Sequence, residues 1–184
     1  MSQRILAPQR SGASGNRSDD RVRTVRWEDP MIGAAAAASM NGLDYLRAIA
    51  AGEFPPPPVA LLLGMDLTKV DAGRAVFTID PGEHLYNPIG SVHGGILATL
   101  LDSALGCAVH SKLAAGIAYT TVDLAVTYVR PATRDTGRLT CEAELLHLGR
   151  RIGTARARIV DADGRLYATA TTTCLVLTSD SGAS

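Results

Sequence analysis

The stretch NPIGSVHGGILATLLD, residues 87 to 102, sets one histidine, two glycines and one carboxylate into an otherwise apolar run. From Gly94 to Leu113 there is no strand alternation and little charge, so the spacing predicts a long helix that is apolar nearly all round. Such a helix belongs inside a protein. Asp102 is out of keeping with it: Ala98 and Thr99 lie one turn behind, Leu105 and Gly106 one turn ahead, and no Lys or Arg stands at i±3 or i±4. A carboxylate buried without a local partner must take a distant one, because burial disfavours the charged form. A purely structural aspartate, bonded to a nearby hydroxyl, would meet that need. The helix start points to chemistry instead. Gly94 and Gly95 put backbone N–H groups at a positive dipole end with no side chain in the way, where a carbonyl oxygen can be held while negative charge develops on it.

Distance then constrains the assembly. Eight residues at about 1.5 Å rise separate Gly94 from Asp102 by roughly 12 Å. A base and an oxyanion hole must both lie near ~3 Å from one reacting group, directly or through a water. If both act on one substrate, they come from two copies related by a two-fold axis, so a homodimer with interfacial sites is expected.

The elements that must position these residues can be read from the flanking sequence. Residues 1 to 30 are rich in Ser, Gly, Arg, Asp and Gln, a composition that favours a disordered tail. Residues 31 to 60 should hold an N-terminal helix, NGLDYLRAIAAGEF, followed by an extended connector at PPPP, 55 to 58. The domain proper is expected over 61 to 179. In it, MDLTKVDAGRAVFTID reads as two strands joined at Asp71-Ala72-Gly73. After the long helix, four more strands follow in AYTTVDLAVTYVR, GRLTCEAELLHLG, RIGTARARIV and RLYATATTTCLVLT. The first of these alternates, with Val122, Leu124, Val126 and Tyr128 on the face expected to be buried. One long helix beside a mostly antiparallel sheet gives an α+β fold.

Composition narrows the function classes. Of 184 residues, 46% are hydrophobic, and 18 basic residues balance 18 acidic ones, so no net field draws the chain to nucleic acid or to a membrane surface. No apolar run is long enough for a membrane span. Cys107, Cys141 and Cys174 have no C-x-x-C spacing and read as buried, reduced thiols, which favours a cytoplasmic location. His84, His110 and His147 have no ligand spacing, so no metal is expected. Ser91 and Ser103 lie in no G-x-S-x-G elbow. Arg150 and Arg151, with Lys112, Arg130, Arg134 and Arg138, read singly as solvated strand-end charges; as a group they could hold phosphates.

From about Asn41 to Thr178 the chain resembles the hotdog-fold acyl-CoA thioesterases of the phenylacetic-acid-degradation (PaaI-like) type. The resemblance rests on Asn87-x5-His93-Gly94-Gly95-x6-Asp102, on TTVDLAVTYVRPA at 120 to 132 and on HLGRRIGTARARI at 147 to 159. It implies a hotdog fold, one helix wrapped by the sheet, and hydrolysis of an acyl-CoA with no cofactor beyond the coenzyme A of the substrate. It implies Asp102 as general base or nucleophile and the Gly94 N–H as oxyanion donor from the opposite subunit. By the same resemblance His93 shapes the loop, Asn87 helps place water or substrate, and Thr121, with Thr120 left open, orients the water. Gly95 and Arg150 would bind substrate. Relatives form dimers or dimers of dimers. Because the fold also hosts other activities, a non-catalytic acyl-CoA binding module and a dehydratase stand as alternatives.

Overall fold

The structure, a computed structural model, describes residues 21–177. The expectation of a tail over residues 1 to 30 therefore lies mostly outside the described residues. Residues 21–29 form neither helix nor strand, with Arg21 bonded to Glu83 and Arg23 donating to the Leu61 carbonyl.

Three helices, where the sequence predicts one, precede the sheet. In α1, Pro30–Ser39, the alanine run is helical because alanine favours a helix, Pro30 suits its first turn, and the Asp29 carboxylate caps it by accepting from the Met31 N–H. The predicted amphipathic helix is α2, Gly42–Ala50, capped by Asn41 and burying Leu46 and Ala48. The proline run is extended only as far as Pro57. Pro58 begins α3, Pro58–Leu63, since a proline at the first helical position loses no hydrogen bond. Gly64, at φ +74, ends it.

The sheet holds six antiparallel strands: β1 Met65–Asp71, β2 Arg74–Ile79, β3 Ala118–Tyr128, β4 Leu139–Leu148, β5 Ile152–Val160 and β6 Leu166–Leu177. Their order across it is β1-β2-β4-β5-β6-β3. The β1–β2 turn falls at Ala72-Gly73, where Gly73 takes φ +80. Between β5 and β6 the DADG turn closes around Asp161, which accepts from the N–H groups of Asp163 and Arg165.

Helix α4, Gly94–His110, lies across one face of this sheet. Leu100, Leu101 and Leu105 are fully buried, with Leu139, Cys141, Ile159 and Cys174 opposite. Each such side chain contributes about 1.5–3 kcal/mol of burial free energy. β5 shows why the helix sits so close. Gly153, Ala155, Ala157 and Ile159 face it, and a Cβ at Gly153 would come within 2.9 Å of Val109 Cγ1. Arg156 and Arg158 point away and pair with Glu144 and Glu142 on β4.

One predicted face is corrected. A bulge between Thr121 and Asp123 shifts the phase of β3, so Val122 is 58% exposed instead of buried. Leu124 and Val126 keep the inward side, packed against the core, while Tyr128 is 51% exposed. Among the described residues β3 pairs with β6 alone, so its other edge is open there.

Candidate active site

His93 sits at the N-cap of α4 with extended backbone, φ −61 and ψ 132. Its Nδ1 accepts from the Gly95 N–H at 2.9 Å, and its carbonyl accepts from Ile96 N–H at 2.9 Å. That use of Nδ1 as acceptor leaves Nε2 as the protonated nitrogen of the neutral ring. The two free amides expected at the helix start therefore reduce to one. Gly95 is taken by His93, and the Gly94 N–H has no acceptor among the described residues.

Two neighbours hold that amide in place. The Tyr128 hydroxyl donates to the Gly94 carbonyl at 2.9 Å, and a Cβ on Gly94 would lie 3.1 Å from Tyr128 Cζ. Glycine at this position lets β3 come against the helix start. On the other side, the loop from Asn87 folds on itself. Asn87 Oδ1 accepts from the N–H groups of Ile89 and Ser91, its amide donates to Ser91 Oγ, and its own N–H donates to the Ser91 carbonyl. His93 N–H then donates to the Leu85 carbonyl. In this arrangement Asn87 shapes the loop that delivers His93.

Two turns further along α4, Asp102 is half-buried. The distant partner its surroundings demand is Thr121, whose hydroxyl donates to Asp102 Oδ1 at 3.0 Å. Thr120 faces the opposite side and is exposed. The second carboxylate oxygen receives no hydrogen bond from the described residues. Because Gly94 and Asp102 share one helix, about 12 Å separates them along its axis within a chain.

Other groups nearby are unsuited to nucleophilic chemistry. Burial, followed by the charge of Asp102, pushes the Cys107 thiol up to about 12, so it stays protonated. Burial likewise raises the Tyr119 phenol well above its ordinary value. Among the described residues no three His, Cys, Asp or Glu side chains gather as a metal would require, and no helix is long and apolar enough to cross a membrane.

The six cations do not form one cluster within a chain. Arg130 stacks on the Tyr167 ring, Arg134 pairs with Glu83 and Arg138 with Asp80, all at the end of the sheet where β4 begins. Arg150 and Arg151 occupy the β4–β5 turn, at the opposite end of β4. Arg150 is exposed and makes no ion pair among the described residues.

Tyr128 escaped the sequence reading. Its place over Gly94 depends on strand register beyond the bulge, which no local pattern reveals.

A family model described as the thioesterase superfamily matches residues 89–168. The acyl-coenzyme A thioesterase PaaI of Escherichia coli K12 is 34% identical over 111 residues, covering 59% of this chain and 75% of that protein. Its solved structure superposes with a TM-score of 0.64 at 27% identity, covering 76% of this chain and 96% of that one. A Ralstonia eutropha JMP134 structure, described as a phenylacetic-acid-degradation-related protein, gives a TM-score of 0.65 at 34% identity over 71% of this chain and 98% of that one. A Halobacterium salinarum protein carrying the name of an esterase is 43% identical over 103 residues, which is 53% of this chain and 66% of that protein. Taken with one buried helix against six antiparallel strands, these matches establish that the chain belongs to the thioesterase superfamily, as a PaaI-like member with the hotdog fold.

Proposed function

We propose that this thioesterase hydrolyses acyl-CoA thioesters to the free acid and coenzyme A, at sites shared between two copies of the chain. The observation that carries the reading is the Gly94 N–H, which has no acceptor among the described residues, at the start of the helix that also bears Asp102. In it, the thioester carbonyl oxygen accepts from the Gly94 N–H of one subunit, which stabilises the developing oxyanion. Asp102 of the other subunit either takes a proton from the attacking water or attacks the carbonyl carbon itself, forming an anhydride that water opens. The C–S bond breaks, and coenzyme A leaves as a thiolate that takes up a proton. Thr121 holds one oxygen of Asp102 and so aims the other.

The second copy is supported by geometry. On β3 and just past its end, Val122, Tyr128 and Val129 are each more than half exposed, and Tyr128 sits against the Gly94 carbonyl. Pairing two β3 edges would cover these side chains and remove an unpaired strand edge. Arg150, exposed and without an ion-pair partner among the described residues, is suited to a coenzyme A phosphate. The three free thiols fit a reducing, cytoplasmic setting.

Asp102→Asn tests the assignment. The fold should survive, with an unchanged or higher melting temperature, while thiol release from acyl-CoAs falls about 10²- to 10⁴-fold. An aspartate that only ties α4 to β3 would give the reverse, a lower melting temperature with nearly intact turnover.

A further inference from the structure

Beyond Asp102 on α4 lies a cavity of about 560 Å³, enclosed by α1, α2 and the proline connector on one side and by β1, β2 and the last turns of α4 on the other. Ile49, Met65 and Phe77 make its walls largely apolar. Tyr45, His110 and Tyr119 also line it, with ring centroids 5.7 Å apart for Tyr45 and His110 and 5.4 Å for His110 and Tyr119. Neither hydroxyl, and neither nitrogen of His110, has a hydrogen-bond partner among the described residues, and none of these atoms is sealed off from the open space beside it. Three polar groups with open valences, gathered on the wall of an otherwise apolar cavity, mark where a polar ligand atom would be received. Burial lowers the pKa of His110, and the neutral ring can both donate and accept.

The cavity wall reaches α4 at Cys107 and His110, five and eight residues beyond Asp102. Asp102, Gly106 and His110 follow one another on successive turns of one face of α4. Tyr119 lies two residues before Thr121 on the same face of β3 and packs on Gly106, where a Cβ would fall 2.6 Å from its hydroxyl. From Asp102 to His110 is about 12 Å along the helix, which an extended chain of roughly nine carbons would span.

We propose that this cavity receives the far end of the acyl chain, and that it is built for a medium-length acyl group with a neutral hydrogen-bonding tip such as a hydroxyl. The inference rests on the acyl-CoA reading above. The length follows from the span between Asp102 and His110. The polar tip follows from the unmatched hydroxyls and imidazole, and its neutrality from the surroundings. His110 is uncharged, and Glu28 and Asp29 also line the cavity and would repel an anionic end.

The test compares butyryl-, octanoyl- and 8-hydroxyoctanoyl-CoA on wild type, Ile49→Trp and Tyr45→Phe, with 1-octanol as an independent probe followed by thermal shift. Wild type should favour the hydroxylated chain over octanoyl by about fivefold or more in kcat/KM, and Tyr45→Phe should bring that preference within about twofold. Ile49→Trp, which fills the cavity, should lower kcat/KM on both eight-carbon substrates at least about tenfold and leave butyryl within about threefold. 1-Octanol should stabilise wild type saturably and leave Ile49→Trp unaffected. An unchanged chain-length profile in a folded Ile49→Trp, or no hydroxyl preference in wild type, overturns the proposal. Should Ile49→Trp fail to fold, Tyr45→Phe decides, since it changes almost no volume. If wild type cleaves no acyl-CoA at all, the acyl-CoA reading fails separately, and 1-octanol then decides for the cavity: saturable stabilisation that Ile49→Trp removes supports it, and no stabilisation overturns it.

Discussion

Asp102 and Thr121 form a pair whose value can be divided experimentally. In Thr121→Val the hydroxyl is lost at nearly constant volume, so Asp102 loses its one hydrogen bond from the described residues and the freedom of its carboxylate increases. Stability should fall by about 1 kcal/mol, while kcat should fall about tenfold or more with KM little changed, as expected when a group that aims another is removed. A loss of stability with kcat unchanged would mark a merely structural bond. His110 supplies a pH signature. Burial makes it bind its proton less readily in the folded chain than in the unfolded one, where its pKa is near 6.5. Below that pH the unfolded chain takes up more protons, so stability drops as pH falls from about 7 to 5, and above it the effect vanishes. His110→Gln should flatten part of that slope in melting curves taken across this range. At this scale the helix-start glycine and the lone carboxylate could be read from the sequence, because both are anomalies in an apolar run. The capping of Gly95 by His93 could not, because histidine is not a favoured N-cap residue and nothing in its spacing distinguishes a cap from a ligand.

Periodicity made the elements legible where one face dominates. α4 was readable from its continuous apolar run, and β5 alternates cleanly between Gly153, Ala155, Ala157 and Ile159 and the outward arginines. The bulge at Thr121–Asp123 was hidden because it adds a residue without changing composition, and it moved Val122 to the surface. α3 was hidden for a different reason: proline punctuates both extended chain and a helix start, and only packing chooses between them at Pro58. The element that everything else depends on is α4. Leu105→Ala should cost about 2–5 kcal/mol in denaturant unfolding, because Leu105 is fully buried between helix and sheet and the close-packed strand residues beneath leave little room to collapse. A cost below about 1 kcal/mol would mean that the helix is not seated on the sheet as described.

For the whole molecule, the proposed mechanism puts the two halves of a site about 12 Å apart on a single helix, with a partly apolar strand edge beside one of them. Distance along a helix is legible from residue numbers alone, and the expectation of a second copy follows from it. The cavity under α1 and α2 was not, because it is formed by segments far apart in sequence. Light scattering at assay concentration should give at least twice the chain mass. The most direct measurement mixes two inactive variants after subunit exchange. Asp102→Asn keeps the amide and loses the carboxylate; Gly94→Pro keeps the carboxylate and loses the N–H, and His93 already has the extended backbone that a residue before proline prefers. Hybrid dimers would contain one intact site, so an equimolar mixture should recover about a quarter of wild-type turnover. Confirmed exchange with no recovered thiol release would contradict a site shared between subunits.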